Sequence, residues 1–278
     1  MKCSHRIMLF QFLFFTFFIN SSFAQKTLLI SDLDDTLRES NSSDLSDALK
    51  RLLNGVKPFP MIANILTDKQ KIMASEGTSL EVVYLSASYQ LIYDAKDWLD
   101  KHHFPKGVIF QRNNLKDSKD FKKQVIRKIL MANQFLYDEF IFIGDNIHAD
   151  EEVYLESAAE LGLANVHVYI RDVMAKAIPL ITSLPSKALP GIHYFFTEYE
   201  LIQFAKFSDV ANLHFENIKS LLDKKQLIAD FMITNLKKRL SKEICEIITN
   251  DKLIKNCKKQ TAKKAQEILY SAIQKKLF

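Results

Sequence analysis

The sequence predicts an α/β fold, a doubly wound, Rossmann-like parallel sheet with helices on both faces, followed by a helical C-terminal segment. Three observations predict it. Between residues 26 and 172, short apolar runs alternate with longer stretches of helical periodicity. Several of those runs are continuously apolar, as strands buried on both faces must be. From Leu213 to the end there is no Pro, no Gly and no strand-like run.

The elements follow in order. Strands are expected at Thr27–Ser31, Glu81–Leu85, Gly107–Phe110, Phe140–Ile143 and Val166–Ile170, with Gly191–Phe196 as one more. Helices are expected at Met61–Ser75, Gln90–His102, Asp120–Asn133 and Glu151–Leu161. Strand-helix-strand alternation of this kind builds a parallel sheet covered on both sides. Arg38–Val56 leaves room for a small helical flap. Thr197 and Glu200 form a capping box for a further helix. Leu221, Leu222, Phe231, Met232, Leu236, Leu240, Ile244 and Ile247 then recur at roughly helical spacing. Asn250-Asp251 interrupts them, and Leu253, Cys257, Ala265, Leu269, Ala272 and Ile273 resume the pattern. Residues 213–278 are therefore read as a helical hairpin.

The first 24 residues read as an address. Lys2 and Arg6 precede the apolar run Ile7–Ile19, and Ser22-Phe23-Ala24 places small residues where a signal peptidase reads. Thirteen residues make a helix of about 20 Å, short of the ~30 Å hydrocarbon core of a bilayer. Export with cleavage after Ala24 is expected, to the periplasm or beyond the cell, with a retained anchor as the alternative. Cys245 and Cys257 remain, compatible with one disulfide stapling the hairpin or with two unpaired core thiols. The domain plan is 1–24 leader, 25–212 catalytic domain and 213–278 hairpin.

Composition excludes some chemistries. The chain has 278 residues with only six Gly, and no two lie close enough for a glycine-rich phosphate loop. Charge is divided: residues 25–212 carry 21 Lys and Arg against 26 Asp and Glu, residues 213–278 carry 15 against 7. A basic hairpin suits an anionic surface, such as a lipid bilayer, or is simply a solvated lysine face. No nucleic-acid partner is expected, and the oligomeric state is left open.

The chemistry-bearing residues are acidic. Ser31-Asp32-Leu33-Asp34-Asp35-Thr36 closes the first strand with a DxDxT motif, at the sheet end where ligands of open α/β folds bind. Asp32 and Asp34 share one strand face, and one stable arrangement for two neighbouring carboxylates is to share a cation. A second acidic cluster, Gly144-Asp145-Asn146-Ile147-His148-Ala149-Asp150, follows another strand. Asp32 can then attack phosphorus, Asp34 can act as acid and base, and Asp145 and Asp150 can complete a Mg²⁺ site. Ser86 ends a strand and can bind a phosphoryl oxygen. Lys122 and Lys123 open a helix, and either can offset the negative charge.

These motifs in this order resemble the haloacid-dehalogenase superfamily of phosphohydrolases. Within it the chain is similar to the phosphatidate phosphatase catalytic-domain family, the actin-patch-associated type. The resemblance covers about residues 27–205 and rests on SDLDDTL, Lys57-Pro58-Phe59-Pro60-Met61, YLSAS at 84–88, Phe104-Pro105-Lys106-Gly107, Gln111-Arg112-Asn113, FKKQVIRKIL at 121–130, FIGD with Asp150, and YIRDV at 169–173. The hairpin lies outside it. The resemblance implies Asp32 as nucleophile, Asp34 as acid/base and Lys122 as the catalytic lysine. It implies a haloacid-dehalogenase-like fold without a large cap. It also implies Asp32, Asp34 (through its carbonyl), Asp145 and Asp150 around Mg²⁺, and Thr36, Ser86, Ala87 and Arg112 on the phosphate and substrate. The expected activity is Mg²⁺-dependent hydrolysis of phosphatidate or a related phospholipid monoester. Phosphoproteins, nucleotides or sugar phosphates are the alternative substrates, and a non-catalytic binding module is the alternative class.

Overall fold

The structure is a computed structural model describing residues 25–42, 44–90, 92–113, 117–174 and 189–245, with Cys257, Gln260, Glu267 and Tyr270 beyond them. The expected leader and most of the hairpin's second arm fall outside these residues.

Strand β1 (Lys26–Asp32) shows why the sheet is central. Its residues are buried from Thr27 to Asp32, and alternate side chains enter two different cores. Leu28 and Ile30 join one core, Leu29 joins the other. Strands β2 (Ser79–Tyr89), β4 (Glu139–Asp145) and β5 (Val166–Arg171) divide their residues the same way: Val83 against Val82, Phe142 against Ile141, Ile170 against Tyr169. This period of two is what a continuously apolar run becomes when a sheet is covered on both sides.

With β3 (Val108–Arg112) and β6 (Ile192–Phe195), six strands pair in the order β3-β2-β1-β4-β5-β6, all parallel. The strand order reverses between β1 and β4, so the crevice beside their carboxyl ends is the place for a ligand. Helices α4 (Ser118–Asn133) and α5 (Asp150–Glu160) cover one face through Ile126, Leu130, Val153 and Tyr154. The other face is covered by α2 (Ile62–Ser75), α3 (Ala95–Lys101), α6 (Glu198–Gln203), α7 (Ala211–Asp223) and α8 (Asp230–Cys245). The expected flap is present as α1 (Leu45–Asn54). The Thr197/Glu200 capping box is formed at the start of α6.

Three readings are corrected. The helix expected from Gln90 begins at Ala95, because β2 continues to Tyr89 and the Asp94 carboxylate caps the amides of Lys96 and Asp97. Strand β2 is longer than expected at both ends. The first arm of the hairpin is two helices, α7 and α8. Lys225 adopts φ 55°, its amide donates to the Leu222 carbonyl and that of Gln226 to Leu221, which ends α7 in a Schellman turn. Side chains on both sides of residue 213 share one core: Phe231, Met232 and Leu236 of α8 are buried with Phe59 and Ile62. Cys245 and Cys257 are bonded in a disulfide. Among the described residues no helix is long and apolar enough to cross a membrane.

Candidate active site

Two neighbouring carboxylate environments stand at the carboxyl ends of β1 and β4. The first centres on Asp32, the last residue of β1. Carboxylate oxygens of Asp32, Asp145 and Asp150 all lie within 4.8 Å of one another, and all three residues are buried. Lys122 reaches them from the first turns of α4, its Nζ 2.7 Å from Asp32 Oδ1 and 2.5 Å from Asp150 Oδ1. The lysine side chain is only 3% exposed. Gly144 makes this packing possible: a Cβ there would lie 2.7 Å from the Asp150 side chain and 2.7 Å from the Tyr154 ring. The Asp145 amide donates to Asp150 Oδ2 at 3.2 Å, and Thr36 Oγ1 donates to Asp32 and Asp145 at 3.3 and 3.4 Å.

Burial pushes the Asp32 carboxyl well above its usual range, against the pull of Lys122. Burial likewise raises Asp150, again opposed by Lys122. Burial would raise Asp145 too, but His148 and Lys122 hold it below the ordinary value. For Lys122, burial works against the charge, but Asp150 and Asp32 outweigh it and keep the ammonium protonated. His148 stands at the rim with Nδ1 3.7 Å from Asp145 Oδ1, and that carboxylate lifts its imidazole to about 9.

This donor set fits a divalent magnesium ion. Three buried carboxyl groups meet the Lys122 ammonium and, at the rim, His148, so carboxyl groups outnumber cations, and the ligands are the hard oxygens that a cation such as Mg²⁺ takes. Asp32 Oδ1 faces the lysine but accepts no well-directed hydrogen bond among the described residues.

The second environment centres on Asp34. A tight turn returns the chain past it: the amides of Leu37 and Arg38 both donate to the Leu33 carbonyl. Asp35 sits in that turn at φ 61°, and its carboxylate accepts from the amides of Asn41 and Ser42, which fixes the loop leading to α1. The Asp34 side chain turns toward β2. Its Oδ2 accepts from Ser86 Oγ at 3.1 Å, Ser88 Oγ at 2.8 Å and Tyr93 Oη at 3.5 Å. Its Oδ1 faces Arg38 Nε at 3.3 Å. Ser86 and Ser88 can both reach it because β2 loses register with β3 between Ser86 and Tyr89.

The family follows from residues 27–172, just over half of the chain, which match the family described as "Phosphatidate phosphatase APP1, catalytic domain". The chain belongs to this family. Residues 27–172 thus form a catalytic domain of the phosphatidate phosphatase family. No curated protein matches the chain. Two solved structures are similar to it over 52% of its length. One is a chain of a Pnkp1/Rnl/Hen1 complex, 18% identical with a TM-score of 0.35, of which 46% is covered. The other is a class C acid phosphatase from Bacillus anthracis with tungstate bound, 17% identical with a TM-score of 0.28, of which 67% is covered. The chain thus spans about half the length of the first of these.

On this member of the phosphatidate phosphatase family, the structure brings together most residues singled out from sequence. Asp32, Asp145, Asp150, Lys122 and Thr36 form the first environment, and Asp34 and Ser86 the second. The helix face separates the two lysines. Lys122, Ile126 and Leu130 are buried one turn apart, while Lys123 pairs on the surface with Glu156 and Glu160 of α5. Ala87 is half-buried within the β2 irregularity. Arg112 ends β3, two strands out from β1, with its guanidinium 4.3 Å from the centre of the Tyr89 ring. Sequence reasoning missed Arg38, Ser88 and Tyr93 as partners of Asp34, and Asn146, whose Nδ2 donates to Asp172 at 2.5 Å beside the metal-fitting cluster.

Proposed function

We propose that the protein is an exported, Mg²⁺-dependent phosphomonoesterase that works through an aspartyl-phosphate on Asp32 and hydrolyses phosphatidate or a related phospholipid monoester. The observation that carries this reading is the convergence of Asp32, Asp145, Asp150 and Lys122 at the carboxyl ends of β1 and β4. Asp32, Asp145, Asp150 and the carbonyl of Asp34 would hold the Mg²⁺. When bound, the ion neutralises carboxylate and phosphate charge and polarises the phosphoryl oxygens.

The residues act as follows. An Asp32 oxygen forms a bond to phosphorus while the bond from phosphorus to the alcohol oxygen breaks. Asp34, protonated, gives its proton to the departing alcohol, which is diacylglycerol when the substrate is phosphatidate. Asp34, now a carboxylate, takes a proton from water as that water attacks phosphorus. The bond to Asp32 breaks, inorganic phosphate leaves, and both aspartates return to their starting states. Lys122 orients Asp32 and offsets charge gathering on the phosphoryl oxygens. Thr36, Ser86 and the chain at Ala87 bind the phosphoryl group, and Arg112 lies farther out toward the rest of the substrate.

The lipid substrate is supported by the family and by the lack of a large cap between the motifs, since an open site admits a bulky headgroup. The basic 213–278 segment supports approach to an anionic bilayer. Export is supported by the leader-like residues 1–24 and by the Cys245–Cys257 disulfide, a bond that persists in oxidising compartments. The test is phosphate release from phosphatidate vesicles with Mg²⁺, with EDTA as control. Release that EDTA abolishes and Mg²⁺ restores is expected. Release from small phosphomonoesters but not from the vesicles would overturn the lipid assignment, and release indifferent to EDTA would overturn the metal.

A further inference from the structure

Arg38 is a buried cation beside Asp34. It is 3% exposed, yet among the described residues its Nη1 has no hydrogen-bond partner and its Nε makes only the ion pair with Asp34 Oδ1. Aromatic faces flank the guanidinium. Its central carbon is 3.7 Å from the centre of the Tyr93 ring and 5.5 Å from that of Trp98. A flat, delocalised cation is the group that stacks in this way, and a lysine ammonium would not replace it.

The rings are themselves anchored. Tyr93 Oη lies 2.9 Å from Ser86 Oγ and reaches Asp34 Oδ2 at 3.5 Å. Trp98 Nε1 donates to the Val56 carbonyl at 2.8 Å, which ties α3 to the end of the flap. The turn between β1 and the flap brings Arg38 back beside Asp34, with a β-bridge between the two residues and another from Arg38 to Pro58. The result is a rigid cage around one carboxylate. Its donors hold the Asp34 side chain against β2, two residues on from Asp32.

We infer that Arg38, clamped by Tyr93 and Trp98, is the positioning residue that aims the Asp34 carboxyl at the leaving oxygen of the substrate. This rests on the reading of Asp34 as the acid. Arg38 itself does not touch the reacting atoms. It fixes one oxygen of Asp34 so that the other, ringed by the hydroxyls of Ser86, Ser88 and Tyr93, which can turn to accept its proton as well as donate to it, is presented for proton transfer. An aryl alcohol can depart without a proton, whereas an alkyl alcohol cannot depart readily without one. Misaiming the acid must therefore slow alkyl monoesters far more than aryl ones.

The experiment compares kcat/KM for p-nitrophenyl phosphate and for glycerol 3-phosphate in the full chain with Mg²⁺, for wild type, Arg38→Lys, Arg38→Gln and Asp34→Asn. Alcohol departure is the first irreversible step, so kcat/KM reads it. A positioned acid contributes about 10²–10⁴-fold. For Arg38→Lys we expect kcat/KM on the alkyl ester to fall about 10- to 100-fold and on the aryl ester less than about 3-fold, with Asp34→Asn splitting the two further. Thermal unfolding shows which variants fold, and the less disruptive Arg38→Lys keeps the buried charge if Arg38→Gln does not fold. Equal losses on both esters, or none, in the Arg38 variants while Asp34→Asn still splits them would overturn the positioning role. No split in Asp34→Asn would instead overturn Asp34 as the acid, and this inference with it.

Discussion

Two buried ion-pair centres lie side by side at the carboxyl end of the sheet, and they are built on opposite principles. One is Asp32, Asp145, Asp150 and Lys122, three carboxylates around one ammonium. The other is Arg171 with Glu198, one charge of each sign, with Arg171 paired in register with Asp145 on the neighbouring strand. The second centre is balanced in charge, although Glu198 Oε2 accepts no hydrogen bond among the described residues. Arg171 Nη2 donates to Glu198 Oε1 at 2.7 Å, Nε donates to the Thr36 carbonyl at 2.9 Å, and the guanidinium lies 3.8 Å from the centre of the Phe59 ring. It holds the motif turn in place. The first centre has more carboxyl groups than cations, which burial answers by raising Asp32 and Asp150 and which a bound cation would relieve. Removing one ion of a balanced buried pair strands the other charge, whereas removing a carboxylate from a crowded acidic cluster relieves it.

The sharpest way to break this contrast is to remove a charge from each centre. Asp32→Asn is expected to lower phosphate release on the order of 10³-fold or more, because the nucleophile is gone. The same change relieves carboxylate repulsion, so the unfolding midpoint should stay equal or rise. A variant as active as wild type would sink the aspartyl-phosphate, and a large loss of stability would sink the contrast. Lys122→Met should cost about 10²–10³-fold in kcat, while Lys123→Met stays within about 2-fold, since only Lys122 faces the acids. Equal losses in the two variants would show that the helix face does not decide the role.

The balanced centre should respond in the reverse sense. Arg171→Met leaves Glu198 buried without its partner, at an expected cost of about 3–5 kcal/mol in urea unfolding. Adding Glu198→Gln should recover part of that loss. If Arg171→Met unfolds no more easily than wild type, the pair is not a fold-supporting one.

The same contrast marks how far the sequence could be read. The sheet was legible because β1, β2, β4 and β5 are buried on both faces, and burial of that kind leaves continuous apolar runs. Asp32, Asp145 and Asp150 were legible because they sit at strand ends or one turn beyond. Lys122 was legible as one of two neighbours, and only the helix phase of Ile126 separated it from Lys123. The break between α7 and α8 was not legible, because the left-handed residue that ends α7 is Lys225 and not Gly or Asn. The cage around Asp34 was not legible either. Arg38 reaches it through a turn, Ser88 through a strand irregularity and Tyr93 through a loop, and none of these leaves a periodic trace.

The smallest effect we expect lies between the flap and the balanced centre. Glu39 is half-buried near Arg51 of α1, Glu198, Arg171 and Asp230 of α8, and burial lifts its carboxyl from 4.5 to about 7, against the pull of Arg51. Its pair with Arg51 is long, 3.6 Å. The folded protein therefore binds this proton more tightly than the unfolded chain does. The proton's contribution to stability is complete at pH values below 4.5 and is lost as pH rises from 4.5 to about 7. One pK unit is about 1.4 kcal/mol, and after allowance for partial exposure the loss across the window is on the order of 1–2 kcal/mol. Glu39→Gln cannot ionise, so its urea midpoint should fall less than that of wild type between pH 5 and pH 8. Identical pH dependence in the two proteins would show that Glu39 is ionised in the fold throughout. Arg51 would then be its effective partner, and the flap would be tied to the body by charge instead of by a neutral, buried carboxyl.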